Sequence, residues 1–152
     1  MLLCYCGTAF GWGKSGHDAI AYIAECNLTP KAKKNIEKYL DGRSIVYYAS
    51  WMDVYRHTPA YKVTSGWHGD RVDADGKYVP NAKGDALQCI EEAISRLKDY
   101  RSLDDSTVLV SIKYLVHLVG DMHCPVHVKY PWYKNFKFDL NGRPSEFHSF
   151  WD

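Results

Sequence analysis

The chain has 152 residues, 46% of them hydrophobic, which is enough for one core of ordinary size and requires no division into several domains. Its 19 basic and 18 acidic side chains leave a net charge of +1, which excludes nucleic-acid binding that relies on an excess of Lys and Arg. Seven His residues in so short a chain are the one suggestive feature of the composition.

Residues 1–11, MLLCYCGTAFG, differ from the rest of the chain because they are mostly apolar or small. Ala9 and Gly11 occupy the two positions that a signal peptidase reads, which predicts cleavage before Trp12, although the charged start of a signal peptide is missing. We interpret residues 1–11 as a residual signal-peptide segment and expect a periplasmic or secreted protein. A disordered N-terminus or an alternative start site is the other interpretation. No other apolar run approaches the ~20 residues of a membrane span, so no membrane association is expected.

Helical signals dominate the first part of the chain. Apolar residues between His17 and Cys26 fall on one face of a helix. Thr29 followed by Pro30 is typical of a helix start, because a capping side chain precedes a proline at the first helical position. This second helix is expected to end at Asp41 and Gly42.

Two later helices are predicted from apolar side chains at steps of three and four residues. One lies between Gly84 and Tyr100. The other, the longest, begins at Asp104 and runs to about Met122, because Pro125 ends it. Its predicted buried stripe consists of Val108, Ile112, Leu115, Val116 and Val119.

The rest of the chain shows less periodicity. Residues 56–83 and 128–144 are irregular, but Lys137 to Leu140 followed by Asn141-Gly142 predicts a short β-hairpin. Ser145 is a further capping residue, so a terminal helix is expected from Glu146 onward. The predicted fold is mainly α.

The strongest signal for chemistry is His117-x3-Asp121, followed by His127. Residues i and i+4 share one face of a helix, so His117 and Asp121 are expected to point into one cavity. Gly120 permits close approach, and Pro125 turns the chain so that His127 returns toward them. Imidazole and carboxylate are ligands that zinc accepts, although a His bonded to a carboxylate for structural reasons would give the same pattern.

The same spacing recurs at His148-x3-Asp152. Two such pairs on two helices of one short α-protein are much less expected by accident than one pair. Three further residues are weaker signals when each is taken alone: His17, Asp53 and His68.

Five motifs carry a family resemblance: WGKSGH at 12–17, ASWMD at 49–53 with Arg56 just after it, His68, HLVGDMHCPVH at 117–127 and FHSFWD at 147–152. Together they resemble the zinc-dependent single-strand nuclease family of the S-one/P-one type, whose members are exported nucleases. The resemblance implies the helical phospholipase C/P-one nuclease-like fold with a short β-hairpin. Residues 12–152 would be the N-terminal part of that nuclease domain, and the C-terminal part of the fold would be incomplete, because family members continue beyond the last ligand.

The resemblance also implies that three zinc ions bind in one cleft, each to its own set of ligands. The first set is Asp53, His68, His117 and Asp121. The second set is His127, His148 and Asp152. The third set is Trp12, His17 and Asp121.

Several roles follow from these sets. Asp121 would bridge two metals, and Trp12 would give its α-amino nitrogen and its carbonyl oxygen, so activity is expected to require cleavage after Gly11. Asp53 and Arg56 are the expected catalytic residues, with Arg56 near the scissile phosphate. A surface role is the alternative for Arg56.

The implied activity is that of an endonuclease and 3′-nucleotidase. It would hydrolyse phosphodiester bonds of single-stranded DNA and RNA, and nucleotides, to 5′-phosphate products, and the enzyme is expected to be a monomer. Three zinc ions at +2 each and three ligand carboxylates would leave about +3 in the cleft, which would attract phosphate to a nearly neutral chain. A metal-activated water would serve as the nucleophile.

Two departures from the family affect the part of the site that stacks on a base. Fungal members are similar to one another in having an aromatic residue directly after the His at position 68 and an Asp three residues after it, where this chain has Gly69 and Arg71. Three aromatic residues are candidates to substitute, although each would also fit the core: Tyr61, Trp67 and Trp132.

Three alternatives to a nuclease remain open. A zinc-dependent phospholipase C-like phosphodiesterase resembles the chain less, because Glu is expected where Asp152 stands. An HD-type phosphohydrolase, suggested by His17-Asp18, needs other His spacings that the chain lacks. A metal-binding fragment without turnover is the third alternative. A disulfide between Cys26 and Cys89 is also possible in an exported protein.

Overall fold

The computed structural model describes residues 13–132, 134 and 136–151. Six α-helices lie in this part of the chain, and the predicted fold class, mainly α, is confirmed. The helices are α1 (Gly13–Cys26), α2 (Pro30–Tyr39), α3 (Trp51–Tyr55), α4 (Ala86–Lys98), α5 (Asp105–Met122) and α6 (Phe147–Trp151). Four short 3-10 helices cover Ile45–Tyr48, Lys62–Gly66, Tyr100–Ser102 and Pro125–His127.

Side-chain caps fix the starts of three helices close to where the sequence predicts them. Thr29 accepts a hydrogen bond from the backbone N–H of Ala32 at 3.2 Å, and Pro30 is the first residue of α2. Asp85 accepts from the N–H of Gln88 at 3.0 Å at the start of α4. Asp104 does the same for α5, so the helix starts are determined locally.

Helix α5 lies at the centre of the fold and buries residues on two sides. On one side Val108 and Ile112 belong to a core with Ala21 of α1, Leu40 and Ile45. On the other side Leu118 packs with a second core of Met52, Ala86 and Cys89. The predicted stripe is therefore correct only in part: Leu115, Val116 and Val119 are half-buried, because they line an apolar cleft of about 370 Å³ between α1, α2 and α5.

Two pairs of short strands complete the fold. Strand β1 (Asp70–Arg71) pairs in parallel with β2 (Val128–Lys129). Strands β3 (Lys137–Leu140) and β4 (Arg143–Glu146) form the predicted antiparallel hairpin. Its two-residue turn has positive φ at Asn141 (54°) and Gly142 (78°), as a type I′ turn requires.

One expectation is wrong, and one possible disulfide is not formed. Ser145 does not cap the last helix, because it pairs with Phe138 inside the hairpin and α6 begins only at Phe147. Cys26 and Cys89 form no disulfide with each other, since Cys26 is exposed and Cys89 is buried in the second core. None of the described helices combines the length and the apolar character needed to cross a membrane.

Candidate metal centre

Helix α5 supplies the first two side chains of the site. His117 and Asp121 are both buried, and Nε2 of His117 lies 3.3 Å from Oδ2 of Asp121, as the four-residue spacing predicts. Nδ1 of His117 is 2.7 Å from the carbonyl oxygen of Ala49. A carbonyl oxygen can only accept, so Nδ1 carries the proton and Nε2 is directed toward the carboxylate.

Helix α1 brings His17 against the same carboxylate. Its ring stacks on that of His117, with centroids 4.1 Å apart, and its Nε2 lies 3.3 Å from Oδ1 of Asp121. Gly120 makes this approach possible, because a Cβ there would lie 2.5 Å from Nδ1 of His17. The close approach expected of Gly120 is therefore between α5 and the ring of His17.

Asp53 on α3 and His68 close the site from the other side. Nδ1 of His68 lies 3.0 Å from Oδ2 of Asp121 and 3.7 Å from Oδ1 of Asp53. The Asp53 side chain is 33% exposed, so this edge of the site opens to solvent. Nη1 of Arg56, one turn later, is 3.4 Å from the same Oδ1 atom, so Arg56 lies at this open edge with its side chain 31% exposed.

Four candidate ligand atoms from this set lie close together. They are Oδ1 of Asp53, Nδ1 of His68, Nε2 of His117 and Oδ2 of Asp121. Five of the six distances among them run from 3.0 to 3.8 Å. A tetrahedral zinc site with bonds of about 2.0–2.1 Å has edges of about 3.3–3.4 Å, so these five distances and the ligand types are close to those of a zinc site. Two compact groups of three could each hold an ion: Asp53, His68 and His117, and His17, His117 and Asp121.

Buried ring nitrogens support the same interpretation. Both nitrogens of His17 and Nε2 of His68 are buried and form no hydrogen bond with any described residue. A buried imidazole nitrogen without a partner is unfavourable, and Nε2 of His17 lies between two carboxylates, 3.7 Å from Asp53 and 3.3 Å from Asp121. A cation placed among these atoms would satisfy them.

The imidazoles also keep Asp121 ionised. Burial raises the pKa of the carboxyl group, but the neighbouring imidazoles of His117, His17 and His68 outweigh burial and hold the pKa well below its ordinary value. Burial lowers the pKa of His117, and its hydrogen bond and attraction to Asp121 outweigh this and leave the pKa raised. Asp121 is therefore an anion at neutral pH.

His127 and His148 form a second group beside the first. Their rings stack with centroids 5.3 Å apart, and Nδ1 of His127 lies 3.5 Å from Oδ1 of Asp121 and in contact with the carbonyl oxygen of His68. The parallel β1–β2 ladder begins one residue after His127 and two residues after His68 and holds these two residues side by side. A Cβ at Gly69 would lie 2.5 Å from the carbonyl oxygen of His127, so this backbone leaves no room for a side chain at residue 69.

The structure thus brings seven of the ten predicted site residues into mutual contact through Asp121 and Asp53: His17, Asp53, Arg56, His68, His117, Asp121 and His127. His148 joins them through His127. Trp12 and Asp152 lie outside the described residues. Sequence reasoning missed the carbonyl of Ala49, because a backbone acceptor leaves no mark on residue type.

Residues 12–152 match the family described as S1/P1 Nuclease. The chain belongs to the S1/P1 nuclease family. It is 26% identical to Nuclease S1 of Aspergillus oryzae over 156 residues, covering 94% of this chain and 54% of that protein. It is 29% identical to Nuclease P1 of Penicillium citrinum (93% and 57%) and 26% identical to Endonuclease 2 of Arabidopsis thaliana (93% and 55%). The chain spans about half the length of the curated relatives it matches.

Within this member of the S1/P1 nuclease family, the three aromatic candidates for base stacking differ in availability. Trp67 donates its Nε1–H to the carbonyl of Lys83 at 3.2 Å and packs edge-on against Tyr114. Tyr61 packs edge-on against Trp51. Trp132 is 63% exposed and stacks on Tyr130 with ring centroids 5.2 Å apart, so it is the candidate that presents an aromatic face to solvent.

Proposed function

We propose that this chain is a zinc-dependent phosphodiester hydrolase, an endonuclease and 3′-nucleotidase that acts on single-stranded DNA and RNA and leaves 5′-phosphate products. The observation that carries the proposal is the convergence of Asp53, His68, His117 and Asp121 at distances that suit one zinc ion. Membership of the S1/P1 nuclease family, and relatives named as nucleases and endonucleases, support it. We further propose that the protein is exported, to the periplasm or the medium, and acts as a monomer.

Three zinc ions are proposed, each with its own ligands. Asp53, His68, His117 and Asp121 would hold the first. His127, His148 and Asp152 would hold the second. Trp12, His17 and Asp121 would hold the third. Bound zinc supplies Lewis acidity toward phosphoryl oxygens and lowers the pKa of a coordinated water.

The protein's own residues prepare the site for such ions. The Asp121 carboxylate directs Oδ1 at His17 and Oδ2 at His68 and His117, which is the arrangement of a bridging carboxylate. The Ala49 carbonyl fixes the tautomer of His117, so a ring lone pair is available to a metal without rearrangement.

Substrate binding is assigned to the open edge of the site. Arg56 lies beside the half-buried Asp53, and its Nε is buried without a hydrogen-bond partner among the described residues. A guanidinium in this position can donate hydrogen bonds to phosphoryl oxygens. Its planar fork of N–H groups can bind two of these oxygens at once in a fixed geometry, which the ammonium group of Lys cannot do. The exposed face of Trp132 is proposed to stack on a base of the single strand.

Hydrolysis assays test the proposal directly. Purified protein supplied with zinc should degrade a single-stranded DNA oligonucleotide to products with 5′-phosphates, should lose the activity in chelator, and should regain it when zinc is restored. Phosphatidylcholine serves as the competing substrate. Cleavage of the phospholipid in preference to DNA would replace the nuclease with a phospholipase, and bound zinc without turnover of either substrate would indicate a metal-binding fragment.

A further inference from the structure

Two exposed cations lie side by side just beyond the candidate metal ligands. In the parallel β1–β2 ladder Arg71 is in register with Lys129. Side chains alternate along each strand, so Asp70 is buried while Arg71 is exposed, and Val128 is half-buried while Lys129 is exposed. Neighbouring strands are about 4.8 Å apart, and the two cations therefore leave the ladder together on its outer side.

This pairing is unfavourable for the fold itself. Like charges directly opposite each other on neighbouring strands destabilise a ladder. Within the described part of the chain, no carboxylate lies within ion-pair distance of Arg71 or Lys129. An external anion bound between the two cations would offset their mutual repulsion.

Space for such an anion is present. Arg71 and Lys129 line a pocket of about 230 Å³ together with Gly66 and Gly69. A Cβ at Gly66 would meet no atom within 4 Å, so this side of the pocket is unobstructed. The volume is sufficient for a phosphate group and its water molecules.

The pocket is also lined by two carboxylates, and both already accept hydrogen bonds from groups of the protein. Asp85 accepts hydrogen bonds from the backbone N–H of Gln88 at 3.0 Å and from the hydroxyl of Tyr78 at 2.9 Å. Asp70 accepts from the backbone N–H of Leu87 at 3.1 Å. Both carboxylates face the positive N-terminal end of α4, which offsets their charge. The cations at the mouth of the pocket have no such partner.

Strands β1 and β2 also connect this pocket to the candidate metal centre. His68 lies three residues before Arg71, and His127 lies two residues before Lys129. We propose that Arg71 and Lys129 form an anion subsite for a backbone phosphate of the single strand, next to the one that is hydrolysed. The proposal rests on the proposed nuclease function and concerns a phosphate that stays intact.

Salt-dependent binding tests the subsite. The double variant Arg71→Gln/Lys129→Gln is compared with wild type by fluorescence anisotropy of a labelled phosphorothioate oligothymidylate, with zinc present and salt varied. The slope of log affinity against log salt should become shallower by about 0.7, because the subsite binds one phosphate and each phosphate contact to a single strand contributes about 0.7. The control Lys31→Gln/Lys34→Gln removes the same charge from α2 and should leave the slope unchanged.

Hydrolysis assays distinguish the subsite proposal from the nuclease proposal on which it rests. For the oligonucleotide, KM should rise about three- to tenfold in the double variant, as expected for two exposed charge contacts, with kcat unchanged. For a 3′-mononucleotide, which has no second phosphate, KM should rise less than KM for the oligonucleotide. If wild type hydrolyses neither substrate, the nuclease proposal fails while the salt slope still decides the subsite.

Stability provides a further check. Loss of the repulsion between Arg71 and Lys129 should leave the Tm of the double variant equal to or above that of wild type. A lowered Tm would show that the two cations serve the fold, and a wild-type salt slope would overturn the subsite.

Discussion

Nε2 of His17 lies 3.3 Å from Oδ1 of Asp121, so α1 and α5 meet at a buried carboxylate. The second oxygen of this carboxylate faces His68 at 3.0 Å and His117 at 3.3 Å. One carboxylate thus separates two groups of imidazoles, one on each oxygen. This arrangement suits two cations that share Asp121. Such cations would also compensate the negative charge of this buried carboxylate.

Gly120 provides the first test of this geometry. In Gly120→Ala the new Cβ would lie 2.5 Å from Nδ1 of His17 and must displace the ring. We expect a loss of about 1–3 kcal/mol in the free energy of unfolding and weaker zinc binding, measured by denaturant titration and by competition with a chelator. Gly66→Ala, where the Cβ meets nothing within 4 Å, is the matched control. Wild-type zinc affinity in Gly120→Ala would mean that His17 is no ligand.

The parts of the site that the sequence predicts are those with a local cause. The four-residue step from His117 to Asp121 places both on one helix face, and Asn141-Gly142 specifies the hairpin turn. The two-residue strands β1 and β2 have no periodicity to detect, and their pairing joins distant parts of the chain. The half-buried stripe on α5 could not be predicted either, because its exposure depends on the cleft shared with α1 and α2.

Trp132 is the residue to change for base stacking. Trp132→Ala should weaken binding of a single-stranded oligonucleotide roughly five- to hundredfold, because stacking contributes about 1–3 kcal/mol per base, with little change in kcat. Steady-state kinetics on the oligonucleotide measure both constants. Tyr47→Ala removes another aromatic residue of similar exposure, at 64%, and should leave KM unchanged. An unchanged KM in Trp132→Ala would assign base stacking elsewhere.

Asp104 predicts a pH dependence of stability away from the site. Hydrogen bonds from the hydroxyl of Ser106 and from the hydroxyl and N–H of Thr107 hold the pKa of Asp104 well below its ordinary value. The contribution of the ionised Asp104 to the free energy of unfolding is therefore complete above the unfolded-state pKa of about 3.9. It is lost as pH falls through the lower folded-state pKa.

The corresponding experiment compares Asp104→Ala with wild type by thermal unfolding at pH 7 and at pH 2.5. Asp104→Ala should have a Tm below that of wild type, and this deficit should be larger at pH 7 than at pH 2.5. Asp104→Asn keeps a good helix cap without a titrating group, so its deficit should be smaller than that of Asp104→Ala at both pH values and should shrink by a similar amount between pH 7 and pH 2.5. Equal deficits of Asp104→Ala at both pH values would contradict the assignment.

The proposed role of Trp12 makes the chain's N-terminus functional. An α-amino group ligates zinc only when its residue is the first, so protein beginning at Trp12 should bind one zinc ion more than protein beginning at Met1. Elemental analysis of both forms, with N-terminal sequencing to verify them, measures the difference. Equal zinc content and equal nuclease activity would remove Trp12 from the ligand set.

The most direct test of the metal centre is the zinc content of the protein that begins at Trp12, with Asp121→Asn as the comparison. Zinc per chain is determined by elemental analysis after dialysis against metal-free buffer. The proposed ligand sets predict three zinc ions per wild-type chain and the loss of at least one in Asp121→Asn, because Asp121 belongs to two sets. Fewer than two zinc ions in wild type, or the same content in both proteins, would contradict a zinc centre built around Asp121.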